Sequence, residues 1–493
     1  MWCSVGLAGL YYPLDSLECP MNCECAPTSI ACEGGIIPKL DPGFAGFEVR
    51  DANPPVKVFT TNLAENMKHV VSLHLVSVGL ERLEREALAK ISRLETLHIT
   101  HNNIETIMAT DFEGCKNLAS LNLENNGIRI IENDTFRSLT TLKELSLAHN
   151  AIKVLPQTFP KGVQMLNFED NEIEFIPDFT FHELLSLNLC DNKIHHIHPD
   201  QFDLNNLLDL CLGGPNFTVN PALISNEKFP HLEILKLSGH KKGNIYIDDR
   251  VQRNILLMVS QSLFNLTLES CTLPNMDIFN ARRGNLQVFK ASNVAVPFQS
   301  RMRIPARFSL SAVEIFDLSG SPGLAKLFLS TPARVSIPEL KILRLSSSNI
   351  TTFPQLVYSG KTPNIEQLDI SHNPLHCTCY GLSWIQESVR EGTFQLDNEE
   401  DTKCTTPEHL QGIPLLTATL CPLELISTTS DLIATINTPV ITKVTTKEPT
   451  LLNSETAATS VSTSAAVGRT KMTTTITTNF NISSSETAGE TWL

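Results

Sequence analysis

Basic side chains are in short supply: 38 Lys and Arg stand against 53 Asp and Glu over 493 residues, a formal net charge of −15. A surface that grips a phosphate backbone needs the opposite balance, because its affinity comes from cations that displace condensed counterions. Nucleic acid is therefore not an expected partner, and heparin binding by the whole surface is disfavoured. No apolar run reaches the ~20 residues a helix needs to cross a bilayer. Gly-x-Ser-x-Gly, His-Glu-x-x-His and phosphate-loop motifs are all missing, so the familiar hydrolytic and nucleotide chemistries have no residues to carry them. The chain reads as a non-enzyme without cofactor or metal.

Leucine, by contrast, recurs on a fixed period. The pattern Leu-x-x-Leu-x-Leu-x-x-Asn-x-Leu is clearest from Leu94 to Ile104, then from Leu118, Leu142, Val163 and Leu184, at spacings of 24, 24, 21 and 21 residues. Alternating apolar residues at positions 4 and 6 predict a short strand with one buried face. The Asn at position 9 falls where the chain turns inward, and its amide can satisfy backbone groups of the next coil. Phe112, Phe136, Phe159, Phe179 and Phe202 recur four to six residues before each following start and predict a second apolar column on the convex side. Weaker copies begin at Val70, Leu207, Leu232, Leu263, Leu286, Val313, Leu340 and Ile365, with Val78, Pro215, His240, Cys271, Val294, Ser321, Ser348 and Asn373 in the ladder position. The front of the array is regular and the rear is not; long connections such as 241–253 are expected to bulge from the convex or lateral face.

This pattern resembles the leucine-rich repeat family. The resemblance implies an α/β-type solenoid: a leucine-rich repeat horseshoe with a concave parallel β-sheet of about thirteen coils, in which each repeat buries its apolar face only against its neighbours.

Cysteines flank the array. Cys19, Cys23, Cys25 and Cys32 are spaced C-x3-C-x-C-x6-C; Cys377, Cys379, Cys404 and Cys421 follow the last repeat. Each group of four allows three pairings, and a zinc site would want a second close pair that C-x-C lacks. Both groups, and the run from Asn373 to Cys379 with Trp384, are similar to the cysteine-rich caps of extracellular leucine-rich repeat proteins. That resemblance implies bonds Cys19–Cys25, Cys23–Cys32, Cys377–Cys404 and Cys379–Cys421. Cys115, Cys190, Cys211 and Cys271 are left over, and Cys271, in the ladder position, can sit buried as a small weak donor. Cys190 and Cys211, at positions 7 and 5 of neighbouring strands, should lie ~8 Å apart from strand spacing and rise, too far to bond. Cys190 would then be left for an intermolecular bond.

Paired cysteines imply an oxidising compartment, and five glycosylation sequons, at Asn133, Asn216, Asn265, Asn349 and Asn481, agree. Residues 1–18 read either as a partial export signal, lacking the usual preceding Lys or Arg, or as the product of a misplaced start codon. The segment 19–69 is expected to hold the N-terminal cap and first coil, 70–375 the repeats, and 376–425 the C-terminal cap. In 426–493 the composition shifts, with 28 Ser or Thr among the 67 residues from Ser427 on; such a segment reads as a disordered, O-glycosylated stalk. Membrane attachment through sequence past Leu493, or secretion, would both suit it.

Candidate binding residues lie on the concave side of repeats 3 to 7. Glu124, Glu144, Glu169, Asp170, Asp191 and Asp209 form an acidic strip, with Lys143 at its margin and Asn122, Asn167 and Asn188 as hydrogen-bonding groups. Such a strip suits a protein ligand with a basic patch, although an acidic protein also has solvated acidic faces by chance. His74 and His98 share position 5 on adjacent strands, and a structural or solvent-facing role for them is favoured over metal binding, as for His195, His196 and His198. The resemblance implies an extracellular protein-binding module, a receptor or adhesion ectodomain like those of the Toll-like, Slit-like and platelet-glycoprotein-like families. The alternative is a secreted matrix protein akin to small leucine-rich proteoglycans, and a homodimer is open in either case.

Overall fold

The computed structural model describes residues 19–421 apart from 41, 216, 241–244, 276–283, 297–309, 331–336 and 356–361. The leader at 1–18, the stalk at 426–493, Asn216, Asn481 and the side chain of Phe179 lie outside the described residues.

Among the described residues one sheet of 17 strands runs through the molecule in chain order. Its first pair, Cys23–Cys25 with Ser29–Glu33, is antiparallel, and every later pairing is parallel. Thirteen strands, from Ser72–Val76 to Gln367–Asp369, fall on the thirteen repeats read from the sequence. Gly46–Arg50 adds a coil in front and Gln395–Leu396 one behind. The reason is local. In Ser72–Val76 the leucines Leu73 and Leu75 turn inward and are buried, while Ser72, His74 and Val76 remain partly open. The same alternation recurs in most of the sheet's strands, so neighbouring coils share one register and one core.

The ladder asparagines do what their position predicts. Asn192 is fully buried, gives its amide hydrogens to the carbonyls of Phe168, Leu189 and Cys190, and accepts from the Ile173 amide. Asn102, Asn150, Asn171 and Asn373 repeat this arrangement. Smaller residues take over in the rear: Ser321 and Ser348 donate to the carbonyls of Ala291 and Leu318, and the Cys271 thiol lies 3.4 Å from the Leu237 carbonyl. Across from the ladder, Phe112, Phe136 and Phe159 stack at centroid separations of 6.2 and 6.0 Å. Phe181 also meets Phe159, edge-on at 5.8 Å.

The widened rear spacings hold helices. Asp249–Val259 fills the long connection after Leu232, capped by the Asp248 carboxylate and anchored by buried Val251, Ile255, Met258 and Val259. Only its upstream part belongs to the bulge expected at 241–253. Pro322–Ser330 and Cys379–Arg390 are the other long helices among the described residues. Trp384 of the last donates its indole hydrogen to the Phe353 carbonyl and packs between Phe353 and Phe394, closing the rear end of the core.

Five disulfides lie in the described residues. Cys19–Cys25, Cys23–Cys32, Cys377–Cys404 and Cys379–Cys421 close the two ends of the array. The fifth, Cys190–Cys211, corrects the sequence-based expectation: the two Cα atoms are 5.4 Å apart, not ~8 Å. The register does set Cys211 opposite Asn188, as expected. The strand, however, ends at Leu189, and the chain turns at Cys190 into Asp191, whose φ is +56°. The rise of an extended residue therefore does not apply at Cys190, and its side chain swings over the neighbouring strand. Cys190 is not available for an intermolecular bond.

Candidate functional site

The solvent-facing side of the sheet carries three rows of side chains, at positions 3, 5 and 7 of each repeat. Glu144 and Asp209 lie in the first row, Asn122, Asn167 and Asn188 in the second, and Glu124 and Glu169 in the third. Asp170 and Asp191 follow in turns where the backbone is left-handed, at φ of +52° and +56°. An Asp tolerates that conformation because its short carboxylate can bond locally. All six acids therefore gather on five successive coils, as expected.

Their partners are mostly neutral. Glu144 accepts from the Ser120 hydroxyl at 3.0 Å and Asp209 from Ser186 at 3.3 Å, each one strand back in the same row. Glu124 accepts from Ser146 at 2.5 Å and more distantly from the Asn167 amide, and Glu169 accepts from the Asn188 amide at 3.0 Å. One carboxylate meets a titratable base directly: Asp170 lies 3.0 Å from His149 Nδ1. Lys143, at the margin, is held by Glu183 at 3.1 Å and by the Gly162 carbonyl, away from the strip. Partial burial raises the pKa of Asp209, against the Ser186 hydrogen bond, and that of Asp191, with Lys236 opposing and Glu269 and Glu169 adding to the shift.

The three asparagines have a job inside the fold. Their side-chain oxygens accept the backbone amides of Glu124, Glu169 and Cys190, two residues on, and so end each strand. Asn167 and Asn188 also spend amide hydrogens on the glutamates, so they orient the acids. Among the described residues Asn122 makes no such amide bond. The orienting serines were missed from the sequence, although aligning position 3 of neighbouring repeats would have set Ser120 beside Glu144 and Ser186 beside Asp209.

North of the strip, His74 and His98 stack face to face, centroids 4.3 Å apart and planes 22° from parallel, with Ser72 Oγ 3.0 Å from His74 Nε2. Burial lowers both pKa values, and for His98 the neighbouring His74 charge lowers it further. To the rear the face changes: Lys236 pairs with Glu269 at 3.6 Å, and Lys290, Asp317, Arg344 and Asp369 follow in alternation along the second row. Opposite charges at strand spacing offset one another there, leaving the front half as the region of one sign. Asn133 and Asn349 are exposed outside the main strands, whereas Asn265 lies within one, on the open face.

Comparison with known proteins agrees with this architecture. The leucine rich repeat family model matches residues 68–128 and 116–161. The chain is 24% identical over 243 residues to the transforming growth factor beta activator LRRC32 of Mus musculus, covering 49% of this chain and 32% of that protein. It is 27% identical over 241 residues to the CD180 antigen of Homo sapiens, covering 47% and 30%. The aligned part thus spans about a third of those relatives' own length. A solved TLR13–ssRNA13 complex is 18% identical with a TM-score of 0.42, over 72% of this chain and 61% of that one. Residues 68–161 thus match the leucine rich repeat model, and the same repeat period, parallel sheet and asparagine ladder continue behind that stretch as a leucine-rich repeat solenoid closed by disulfides at both ends.

Proposed function

We propose that the front half of the concave face recognises a protein partner bearing a basic patch, in a cell-surface receptor or adhesion ectodomain. The observation that carries this reading is the set of partners around the acids. Glu124, Glu144, Glu169 and Asp209 are held by hydroxyls and amides, which fix their direction and leave their charge uncompensated. Carboxylates fixed in this way add their fields over a rigid sheet, and the attraction reaches out to about a Debye length, ~8 Å at physiological salt. Asn122 is the remaining hydrogen-bond donor for a partner in the strip. The same field repels a phosphate backbone, which disfavours a nucleic-acid ligand. The names of the matched relatives, a transforming growth factor beta activator and an antigen, fit recognition better than catalysis.

The test is association kinetics against a panel of basic secreted proteins. For a true partner, Glu169→Lys slows association several-fold and added salt slows the wild type, since charge complementarity acts mainly on the on-rate. The same reversal at Glu339, exposed but away from the strip, leaves binding unchanged. Equal behaviour of the two variants would remove the strip as the site.

A further inference from the structure

The first row of the concave face changes character along the array. In front it carries Ser120, Glu144, Met165, Ser186 and Asp209; behind, it carries Ile234, Val288, Ile315 and Ile342, all partly open to solvent. One polar residue interrupts that aliphatic row. Asn265 sits between Ile234 and Val288, in register with both. It begins the sequon Asn265-Leu266-Thr267, and because the segment is an extended strand, Asn265 and Thr267 share the open face while Leu266 is buried. The Thr267 hydroxyl lies 3.5 Å from the Asn265 side-chain oxygen, and among the described residues nothing accepts a hydrogen bond from the amide nitrogen.

We propose that Asn265 carries an N-linked glycan whose core sugars lie along this aliphatic row. In the modification the Asn265 amide nitrogen attacks the anomeric carbon of a lipid-diphosphate-linked oligosaccharide. A nitrogen–carbon bond forms, the bond from that carbon to the diphosphate oxygen breaks, the amide loses one proton, and the lipid diphosphate leaves. Transfer acts on the unfolded chain, so the folded sheet need only leave room for the product, and the open face does. The surface on either side suits a saccharide. Sugar rings have apolar faces of C–H groups to lay against Ile234 and Val288, and hydroxyls to meet Lys236 and Lys290, which flank Thr267 in the next row. An uncovered apolar row on an extracellular protein invites association; a bulky, hydrated chain rooted within it answers that exposure. Asn133 and Asn349 stand on no such row. A consequence is that the rear half of the face is closed to a large partner, while the acidic front stays open; the glycan does not depend on what binds in front.

The protein secreted from mammalian cells is digested and mapped after peptide N-glycosidase treatment in heavy-oxygen water. Asn265 is expected to take up the label. Asn265→Gln and Thr267→Ala should each abolish labelling at this site, and Thr267→Ser should keep it; Thr267→Ala guards against a folding defect peculiar to the first variant. Both glycan-free proteins should bind a polarity-sensitive naphthalene-sulfonate dye several-fold more than the parent. A bare Asn265 in the secreted protein overturns the proposal. Occupancy without any rise in dye binding overturns the placement of the sugars on the row.

Discussion

Cys190 and Cys211 are covalently bonded across adjacent coils, although the sheet register places Cys211 opposite Asn188. The bond sits where the ladder fails. Position 9 of the Leu207 coil is Pro215, which has no side-chain amide to offer. The coil is instead held by close backbone approach: a Cβ on Gly213 would meet the Ser238 carbonyl at 1.8 Å, and one on Gly214 the Asn192 carbonyl at 1.9 Å. A disulfide here closes a segment with a sequence separation of 21. Replacing both cysteines by serine should cost about 3 kcal/mol if the cross-link acts on the unfolded chain. Thermal unfolding of the double variant checks this; an unchanged melting temperature would count against a structural role. Gly213→Ala should be more severe and prevent secretion.

The ladder itself predicts a gradient of sensitivity. Asn192→Ala strands three backbone carbonyls and one amide in the interior, at about 1–3 kcal/mol for each buried group left without a partner. Cys271→Ser keeps a small donor at the same position and should leave the melting temperature almost unchanged. Denaturation of the two variants side by side measures the contrast, and equal losses would mean that the ladder position carries no special load.

Cys115 and Cys271 are buried thiols, and burial pushes both up to about 12. Since the thiolate is the reactive form, neither should be alkylated by iodoacetamide at pH 8 in the native protein, and both should be after denaturation. Mass counting before and after gives the answer; rapid native labelling would mean that the core opens at one of these sites.

The stacked imidazoles predict an acid limb. His74 and His98 have native pKa values below the ordinary 6.5, chiefly because burial disfavours the charged ring. Charges near them are mixed: Glu48 favours protonation of both, Glu124 and Glu144 favour that of His98, and Arg50 opposes that of His74. A base with a depressed native pKa binds protons more weakly when folded. Stability is therefore full above about 6.5 and is lost as pH falls through the native value. The melting temperature of the wild type should decline below pH 6.5 more steeply than that of the His74→Gln, His98→Gln double variant; parallel curves would exclude the pair as its source.

Much of the fold was legible in the letters because its determinants are short-range. Strand alternation such as Leu73, Leu75 and the following inward turn repeat within each coil, so thirteen strands could be placed without knowing any contact between coils. The miss at Cys190 came from backbone direction at a turn: the strand ends at Leu189 and Asp191 is left-handed, so the Cys190 side chain reaches Cys211. The helix Asp249–Val259 left a usable trace in Asp248 followed by Val251, Ile255 and Val259 at helical spacing. The acids of the candidate site were readable as a cluster, while the hydroxyls that aim them became visible only through the register.

An array in which each coil touches only its neighbours wears from its weakest end. Behind Cys211 the ladder position is held in turn by Pro215, His240, Cys271, Val294, Ser321 and Ser348, each a poorer cross-tie than asparagine. Local openings should begin there and travel along the stack until they reach a tie that cannot be undone by thermal motion, which is the Cys190–Cys211 bridge. In hydrogen exchange the rear strands would then give up their amide protons before the front ones, with a step between the coils of Leu184 and Leu207. The coils between the N-terminal cap disulfides and this bridge, most of the acidic strip among them, would be the last part of the array to let water in.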